Sequence, residues 1–352
     1  MAGVTSREAN IAFAKFATNS WGVAASVTRG AYWSSDGGMA LRPIYVEDAR
    51  FNQKFLGQAE IGDITAVDAT VDGQARYDDN HYILQALFLG SPATVTISSS
   101  ASGQTTSWLH VIDAAPSIDG LGVTVAMDKV LFVDELTSAK VYGFGETFGD
   151  GGVVNQSFKL LGTKMTNISS TNTRSTVNGA SFPAQNNRIF RKQGTFRLNI
   201  GTGGALGASD AIPIESWDFQ MDRPQDAPFV TSSDVVYEPG DNGHPQITFR
   251  VTFPRMNTVS ANSMYGFLRS GTQFKADMTY NGSNINSTDT YRELWQFPAV
   301  ELQEWAANVS GPNQVKPVAM FKAKLAATSP TGMAFVNPVR LSRIMVNSVV
   351  AF

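Results

Sequence analysis

Cysteine is absent from this sequence of 352 residues, and charged residues are scarce. The absence of cysteine excludes disulfide bonds, thiolate zinc sites and a cysteine nucleophile. Asp, Glu, Lys and Arg make up 16% of the chain, with 27 basic against 30 acidic residues. Because sequence-independent binding of duplex DNA depends on basic clusters that displace phosphate counterions, this nearly neutral balance argues against that class of function.

Long apolar runs are also missing. The amino-terminal stretch MAGVTSREANIAFAKFATNSWG carries Arg7, Glu8 and Lys15 among its apolar residues, unlike a secretory signal. No later run approaches the roughly 18 consecutive apolar residues that suggest a membrane-spanning helix. We therefore expect a soluble protein that is made in a cytoplasm.

Motifs for metal and cofactor binding are equally scarce. The three histidines, His81, His110 and His244, are far apart, and none has a second histidine at metal-ligand spacing. The run GTGGALGASD, which begins at Gly201, lacks the spacing of a dinucleotide-binding motif and is expected to be a flexible loop. The sequence therefore predicts no metal site and no cofactor.

Catalytic signatures are missing too. Neither a Gly-x-Ser-x-Gly elbow nor a phosphate-binding loop occurs. The acidic pair Asp78 and Asp79 could suggest glycosidase carboxylates or a calcium site, but it precedes a helical pattern and lacks the other ligands of a calcium loop. We expect this pair to cap a helix, and we predict no catalytic residues and no enzymatic activity.

The chain is rich in short runs of alternating apolar and polar residues, separated by Gly and Asn, which is typical of antiparallel strands. In ITFRVTF, from Ile247 to Phe253, the alternation is complete. Two segments break the pattern, residues 78–90 and 260–271, and each is predicted to be a short amphipathic helix with a terminal Gly. The predicted fold class is therefore all-β with two short helices.

The order of these elements repeats along the chain. Strand, helix and hairpin follow one another at residues 67–111 and again at residues 247–297. Upstream, PIYVEDARF from Pro43 is similar to PIESWDFQM from Pro213, and downstream, the segment from Glu146 is similar to the one from Glu304. These offsets, roughly half the chain, indicate one fold in two copies. We predict domains at 1–180, with an amino-terminal arm to about residue 25, and at 181–352, joined by a polar linker at 166–179.

The order of motifs FAKFATNSWG, RPIYVEDARF, DDNHYILQALFLG, IPIESWDFQMDRP, YEPGDNGHPQITFRVTFPRM and NPVRLSRIMVNSVV spans nearly the whole chain. In this order the sequence resembles the major tail tube proteins of bacteriophages with long, flexible, non-contractile tails (siphovirus type), most of all those with a duplicated tube domain. The resemblance implies two tandem β-sandwich or barrel-like domains, each flanked by a short helix. It implies a structural virion protein that self-assembles into stacked rings, whose joined inner strands line the channel for genome ejection.

The resemblance also implies partners and a location. Two tube domains per chain would give a homotrimer with pseudo-hexameric rings, with hexameric rings as the alternative. The lumen would hold the tape measure protein and later viral DNA, without sequence-specific binding, and terminator and tip proteins would cap the ends. Such a subunit assembles in the bacterial host cytoplasm, belongs to the phage tail of the virion and contacts no membrane.

Two groups of residues are candidates for these roles. On two strands, the side opposite the predicted core points either to the lumen or to outside solvent. The residues on this side are Asp68, Thr70, Asp72, Thr248, Arg250 and Thr252. Arg250 is unexpected there, because a channel for DNA should repel phosphate. The irregular segments 48–63 and 222–244 are candidate inter-ring loops, with Asp48, Arg50, Asp63, Asp222, Arg223, Asp241 and His244.

Two other functions remain open. A carbohydrate-binding or adhesin-like β-sandwich module of a phage particle would expose an aromatic groove and would be a stable monomer. A β-sandwich hydrolase would need two acids that converge in a cleft, and the sequence nominates none.

Overall fold

The computed structural model describes residues 10–15, 21–34, 43–46, 60–64, 67–90, 94–97, 107–183, 187–231, 233, 235–255, 258–307 and 315–346. Strands dominate these residues, and the all-β prediction is confirmed. The predicted residues Asp48 and Arg50 lie outside the described residues.

Among the described residues, eleven strands belong to the first half of the chain. They are β1 (Asn10–Lys15), β2 (Arg29–Ala31), β3 (Pro43–Val46), β4 (Glu60–Ile64), β5 (Val67–Gln74), β6 (Thr94–Ile97), β7 (Trp108–Asp113), β8 (Val123–Asp128), β9 (Val133–Phe148), β10 (Val154–Gly162) and β11 (Met165–Thr166). Ten belong to the second half: β12 (Gly194–Ile200), β13 (Ala211–Ile212), β14 (Ser216–Asp222), β15 (Gln225–Asp226), β16 (Gly240–Asp241), β17 (Gln246–Thr252), β18 (Gln273–Asn284), β19 (Thr290–Ala306), β20 (Val318–Ala323) and β21 (Arg340–Met345).

Three helices are described: α1 (His81–Leu89), α2 (Arg174–Asn178) and α3 (Thr258–Ser270). The helices α1 and α3 are the two that the sequence predicts. Each is followed by the predicted glycine, Gly90 at φ 78° and Gly271 at φ 61°, in the left-handed region that ends helices.

The prediction that α1 is amphipathic is wrong, because all nine of its residues are buried. Its polar residues do not mark a solvent-facing side, since both His81 and Gln85 have no exposed surface. The prediction that the acidic pair Asp78 and Asp79 caps this helix agrees in part with the structure. Asp79 accepts a hydrogen bond from the backbone N–H of His81 at 3.4 Å, although the residue directly before the helix, Asn80, makes no side-chain cap.

The two halves contain sheet segments with the same strand order. In the first half, β5, β10, β9 and β8 are neighbours in that order, all antiparallel. In the second half, β17, β20, β19 and β18 are arranged in the same way. In each segment, a helix follows the first of the four strands. In this order, the hairpin after α3, β18–β19, corresponds to β8–β9. The hairpin β6–β7, which the sequence pattern matched with it, is an additional hairpin in the first half.

The two halves also share one sheet and one core. Strand β14 pairs with β9, and strand β21 pairs with β7. A single cluster of buried apolar residues includes Phe144 and Phe158 from the first half, and Trp217 and Trp295 from the second. Burying a large apolar side chain contributes about 1.5–3 kcal/mol, so each half stabilises the other. The division into tandem domains therefore stays a prediction.

The polar segment 166–179 packs against the first half instead of acting as a loose linker. The side chain of Asn172 is fully buried, accepts from the N–H of Val27 at 2.9 Å and donates to Ala25 O at 2.9 Å. Its amide also donates to Glu135 Oε2 at 2.7 Å. Polar composition predicted a linker here, but these hydrogen bonds allow a polar side chain to be buried.

Candidate functional site

A polar surface of the described residues crosses six neighbouring strands and continues onto β19. Strands β5, β10, β9, β14, β17 and β20 lie side by side in that order, and every neighbouring pair is antiparallel. Residues paired directly across such strands point to the same face of the sheet. One row of paired residues consists of Asp72, Ser157, Gly145, Gln220, Thr248 and Lys322.

The opposite face of these strands is the core. The next row along contains Val71, Phe158, Phe144, Met221 and Ile247, all of which are buried. The alternation along each strand therefore separates an apolar face from the polar one. We call the side that carries Asp72 and Thr248, with the residues in register with them, the polar face.

The six predicted lumen residues lie together on the polar face. Asp68, Thr70 and Asp72 are on β5, and Thr248, Arg250 and Thr252 are on β17, with β10, β9 and β14 between them. The sequence pattern predicted the two strand faces separately. Their union into one surface depends on the pairing of β9 with β14, which no local pattern encodes.

Ion pairs neutralise two cations on the polar face, Lys159 and Arg250. Lys159 Nζ lies 2.7 Å from Asp222 Oδ1, and Arg250 NH2 lies 3.2 Å from Glu304 Oε2. Sequence reasoning missed Lys159 and Glu304, although their strands alternate clearly. Arg250 is therefore paired with an acid, which accounts for a positive charge where an acidic residue was expected.

Acids outnumber bases on this surface. The charged residues in register on the seven strands from β5 to β19 are the acids Asp68, Asp72, Asp218, Asp222, Glu301 and Glu304 and the bases Lys140, Lys159, Arg250 and Lys322, of which Lys140 is buried. The excess of carboxylates gives the face a weakly negative potential, which disfavours close binding of phosphate groups.

A groove of about 510 Å³ lies on the polar face over β5, β10, β9 and β14. Its floor includes Gly145 of β9, which has no side chain, and Gly143 lies two residues away on the same strand. A Cβ atom at Gly143 would lie 2.6 Å from Cδ of Lys159 and 3.0 Å from Oδ1 of Asp222, so glycine leaves room for that ion pair. Among the described residues, no histidine lines the groove, and no three His, Asp or Glu side chains form a metal site.

Beneath the polar face, a buried polar network joins the two halves. Glu146 on β9 accepts hydrogen bonds from Trp217 Nε1 at 3.1 Å, Tyr280 Oη at 2.9 Å and Gln156 Nε2 at 3.1 Å. Burial, and to a smaller extent the nearby Glu293, raise the pKa of Glu146 from 4.5 to about 8. Glu146 is therefore a neutral acid at neutral pH.

The second acid of this network, Glu293, has a cationic partner. It accepts from Trp295 Nε1 at 3.0 Å and from the guanidinium of Arg343, which is also buried. With Glu146 neutral, Glu293 and Arg343 balance each other, and the network has no net charge. These two acids converge, as a hydrolase would require, but both side chains are fully buried.

Aromatic residues serve mainly the core. Trp217, Trp295 and Trp305 are buried, and Trp217 stacks on Phe249 with ring centroids 5.2 Å apart. An aromatic groove of the kind a carbohydrate-binding module needs does not arise from these three residues.

The predicted inter-ring loop residues have different environments. Arg223 is buried and donates to the carbonyl oxygens of Phe88, Leu89 and Ala115, so it holds the carboxyl end of α1 and is not available to a neighbouring ring. Asp241 is also engaged within the chain, where it accepts from the N–H of Ile118 at 3.2 Å.

The remaining loop candidates include one exposed residue. His244 is exposed, and Asp222 binds Lys159 on the polar face. Asp63 lies in β4. The side chains of Arg223 and Asp241 fold against the first half of their own chain. The assignment of 222–244 as an inter-ring loop stays a prediction.

None of the described helices is long and apolar enough to cross a membrane. No protein-family model matches this sequence, and no curated protein matches it.

Proposed function

We propose that this chain is the building block of a phage tail tube, in which copies join into rings, rings stack, and the polar face lines a channel for DNA. The observation that carries the proposal is the continuity of the polar face over both halves, with the core directly behind it. A channel wall needs such a sheet, polar toward the lumen and apolar toward the body of the subunit.

An open strand edge supports ring formation. In β9, one edge pairs first with β8 and then with β14. In β19, the corresponding edge pairs with β18 up to Glu301, and among the described residues nothing pairs with it from Leu302 to Ala306. Exposed strand edges favour association with another strand, and closure into a ring removes them. In the proposed ring, this edge of β19 pairs with the β5 end of the sheet in the next copy.

The width of the sheet favours three copies. Seven strands from β5 to β19, spaced about 4.8 Å apart, contribute about 34 Å of circumference per copy. Three copies then enclose a backbone diameter of about 30 to 40 Å, depending on strand tilt, and six copies about twice that. Side chains narrow the smaller channel toward the width of a DNA duplex, whereas the larger would fit it loosely.

The charge of the polar face suits a channel through which DNA passes without being bound. Lys159 and Arg250 are paired with acids, and acids outnumber bases on the face, so its charge does not favour holding phosphates. We propose the partners that the family resemblance implies: tape measure protein and then DNA in the lumen, and terminator and tip proteins at the ends of the tube in the virion.

Negative-stain electron microscopy with size-exclusion chromatography tests this proposal. We expect wild-type chain to form hollow tubes whose rings have threefold symmetry, and Gln303→Pro to remain a folded monomer. Gln303 is exposed on β19, at a bulge in its pairing with β20, where strands tolerate proline, and a proline in an edge strand blocks pairing with another strand. Gln303→Ala is the matched control and should form tubes. A wild-type chain that stays monomeric at high concentration would contradict the proposal and favour the binding module.

A further inference from the structure

The turn between β8 and β9 exposes apolar side chains at one end of the molecule. We call residues 129–132 the hairpin tip. Leu131 is 77% exposed and Phe132 is 44% exposed. Ile168 follows β11, whose register with β9 places it toward the same end, and it is 86% exposed. Contiguous exposed apolar side chains of this kind often mark an interaction site.

The hairpin tip is held in a fixed shape. Val130 has a φ of 72°, which is strained for a β-branched residue. Its N–H donates to Asp128 Oδ1 at 2.7 Å, and its carbonyl accepts from Arg174 NH1 at 2.9 Å. The neighbouring charges are paired, Arg174 with Asp128 and Lys129 with Asp134. The tip therefore presents Leu131 and Phe132 rigidly, and burying them there leaves no new unpaired charge.

An apolar pocket lies in the second half. We call this cavity of about 310 Å³ the end pocket. Apart from Arg255, its lining is apolar and consists of Ile212, Pro213, Phe253, Pro254, Met264, Trp305 and Pro317. The indole N–H of Trp305 is buried and has no hydrogen-bond acceptor among the described residues. The pocket is large enough for one or two apolar side chains.

The strand registers place the hairpin tip and the end pocket at opposite ends of the sheet. Strand β9 starts beside the tip, and its last residues pair with the start of β14, which follows Pro213. The ends of β17 and β19 and the start of β20 lie at this same far end. The 16 residues of β9 span about 50 Å, so the tip cannot reach the pocket of its own chain.

We infer that the hairpin tip of one copy inserts Leu131 and Phe132 into the end pocket of a second copy, in the next ring. This inference rests on the proposed tube. A contact between different surfaces at opposite ends of a molecule repeats without closing, so it generates a filament. The rigid neutral tip fits the apolar lining, and an acceptor from the incoming chain would satisfy Trp305. Trp305 is also part of the open edge of β19. The contact that stacks the rings and the contact that closes each ring therefore lie next to each other.

Engineered disulfides test this contact cleanly, because the chain has no cysteine of its own. The variants Leu131→Cys and Pro213→Cys are prepared separately, mixed and oxidised, and the linked dimer is measured on a non-reducing gel. The control mixture uses Val23→Cys, 63% exposed, in place of Leu131→Cys. We expect the tip–pocket pair to link on the order of a hundredfold faster than the control, because the contact raises the local concentration.

The outcomes separate this inference from the proposed function. Tubes of wild-type chain with equal linking rates in both mixtures would overturn the tip–pocket contact and leave the tube intact. The double variant Leu131→Asp/Phe132→Asp, which changes only exposed side chains, should give rings that do not stack. Unchanged tubes from this variant would likewise overturn the inference, and a wild-type chain that forms neither rings nor tubes would overturn both.

Discussion

The long strands β9 and β19 have corresponding neighbours but end differently. Each pairs with the strand before it, β8 or β18, and on its other edge with the strand after it, β10 or β20. The carboxyl-terminal part of β9 is covered by β14, whereas the same part of β19 is open among the described residues. The pairing of β14 with β9 within the chain, the closed junction, thus resembles the pairing that we propose between β19 of one chain and β5 of the next.

A single-residue bulge adds a second difference. The sequence matches Glu146 with Glu304, yet Glu146 is buried and Glu304 is exposed on the polar face. In β19 the register shifts between Leu302 and Glu304, where the extra residue Gln303 turns the following side chains to the other face. The repeated acid therefore serves the core in one half and the polar face in the other.

Breaking the closed junction should have the largest effect. Trp217→Ala removes the ring that stacks on Phe249 and the N–H that donates a hydrogen bond to Glu146, and it leaves a cavity. We expect a loss of about 3–5 kcal/mol in the free energy of unfolding, measured by urea denaturation. The control Tyr237→Ala, at a side chain 60% exposed, should change it by about 0.5 kcal/mol or less. A loss for Trp217→Ala as small as the control's would mean that β14 does not join the halves.

The protonation of Glu146 gives the second largest effect. Its pKa is raised from 4.5 to about 8 in the folded chain, so between these values the folded state binds the proton and the unfolded state does not. The contribution to stability is complete below pH 4.5 and is lost as pH rises through about 8, at up to about 1.4 kcal/mol per pH unit.

Comparison with Glu146→Gln isolates this contribution. The variant should unfold with a flatter pH dependence between about 4.5 and 8, measured by urea denaturation at several pH values. Glu304→Gln, at the exposed position matched by sequence, should keep the wild-type slope. Parallel curves for wild type and Glu146→Gln would show that Glu146 does not titrate in this range.

The sequence predicts local features of this fold well. The alternation in residues 67–74 and 246–252 correctly indicates β5 and β17 and their core faces, because period-two alternation reports burial directly. The glycines after α1 and α3 mark the helix ends, because only glycine adopts a positive φ without strain.

Features that depend on distant partners are not predictable in this way. The burial of α1, the packing of Asn172 and the position of Arg223 each depend on groups far along the chain. The pairing of β14 with β9 and the bulge at Gln303 likewise leave no periodic signal. The polar face was therefore predictable as two separate strand faces, and its continuity was not.

The smallest expected effect concerns the ion pairs of the polar face, one near each junction. Arg250–Glu304 lies beside the open edge, and Lys159–Asp222 lies beside the closed one. All four side chains are substantially exposed, so solvent screens the pairs, and Arg250→Ala or Lys159→Ala should change the free energy of unfolding by about 1 kcal/mol or less. Urea denaturation at low and high salt measures this, and a larger, salt-insensitive loss would contradict it. Each variant removes one positive charge from the face without unfolding the chain. Its tubes should therefore form as wild-type tubes do and have a more acidic lumen, which separates the charge of the polar face from its role in stability.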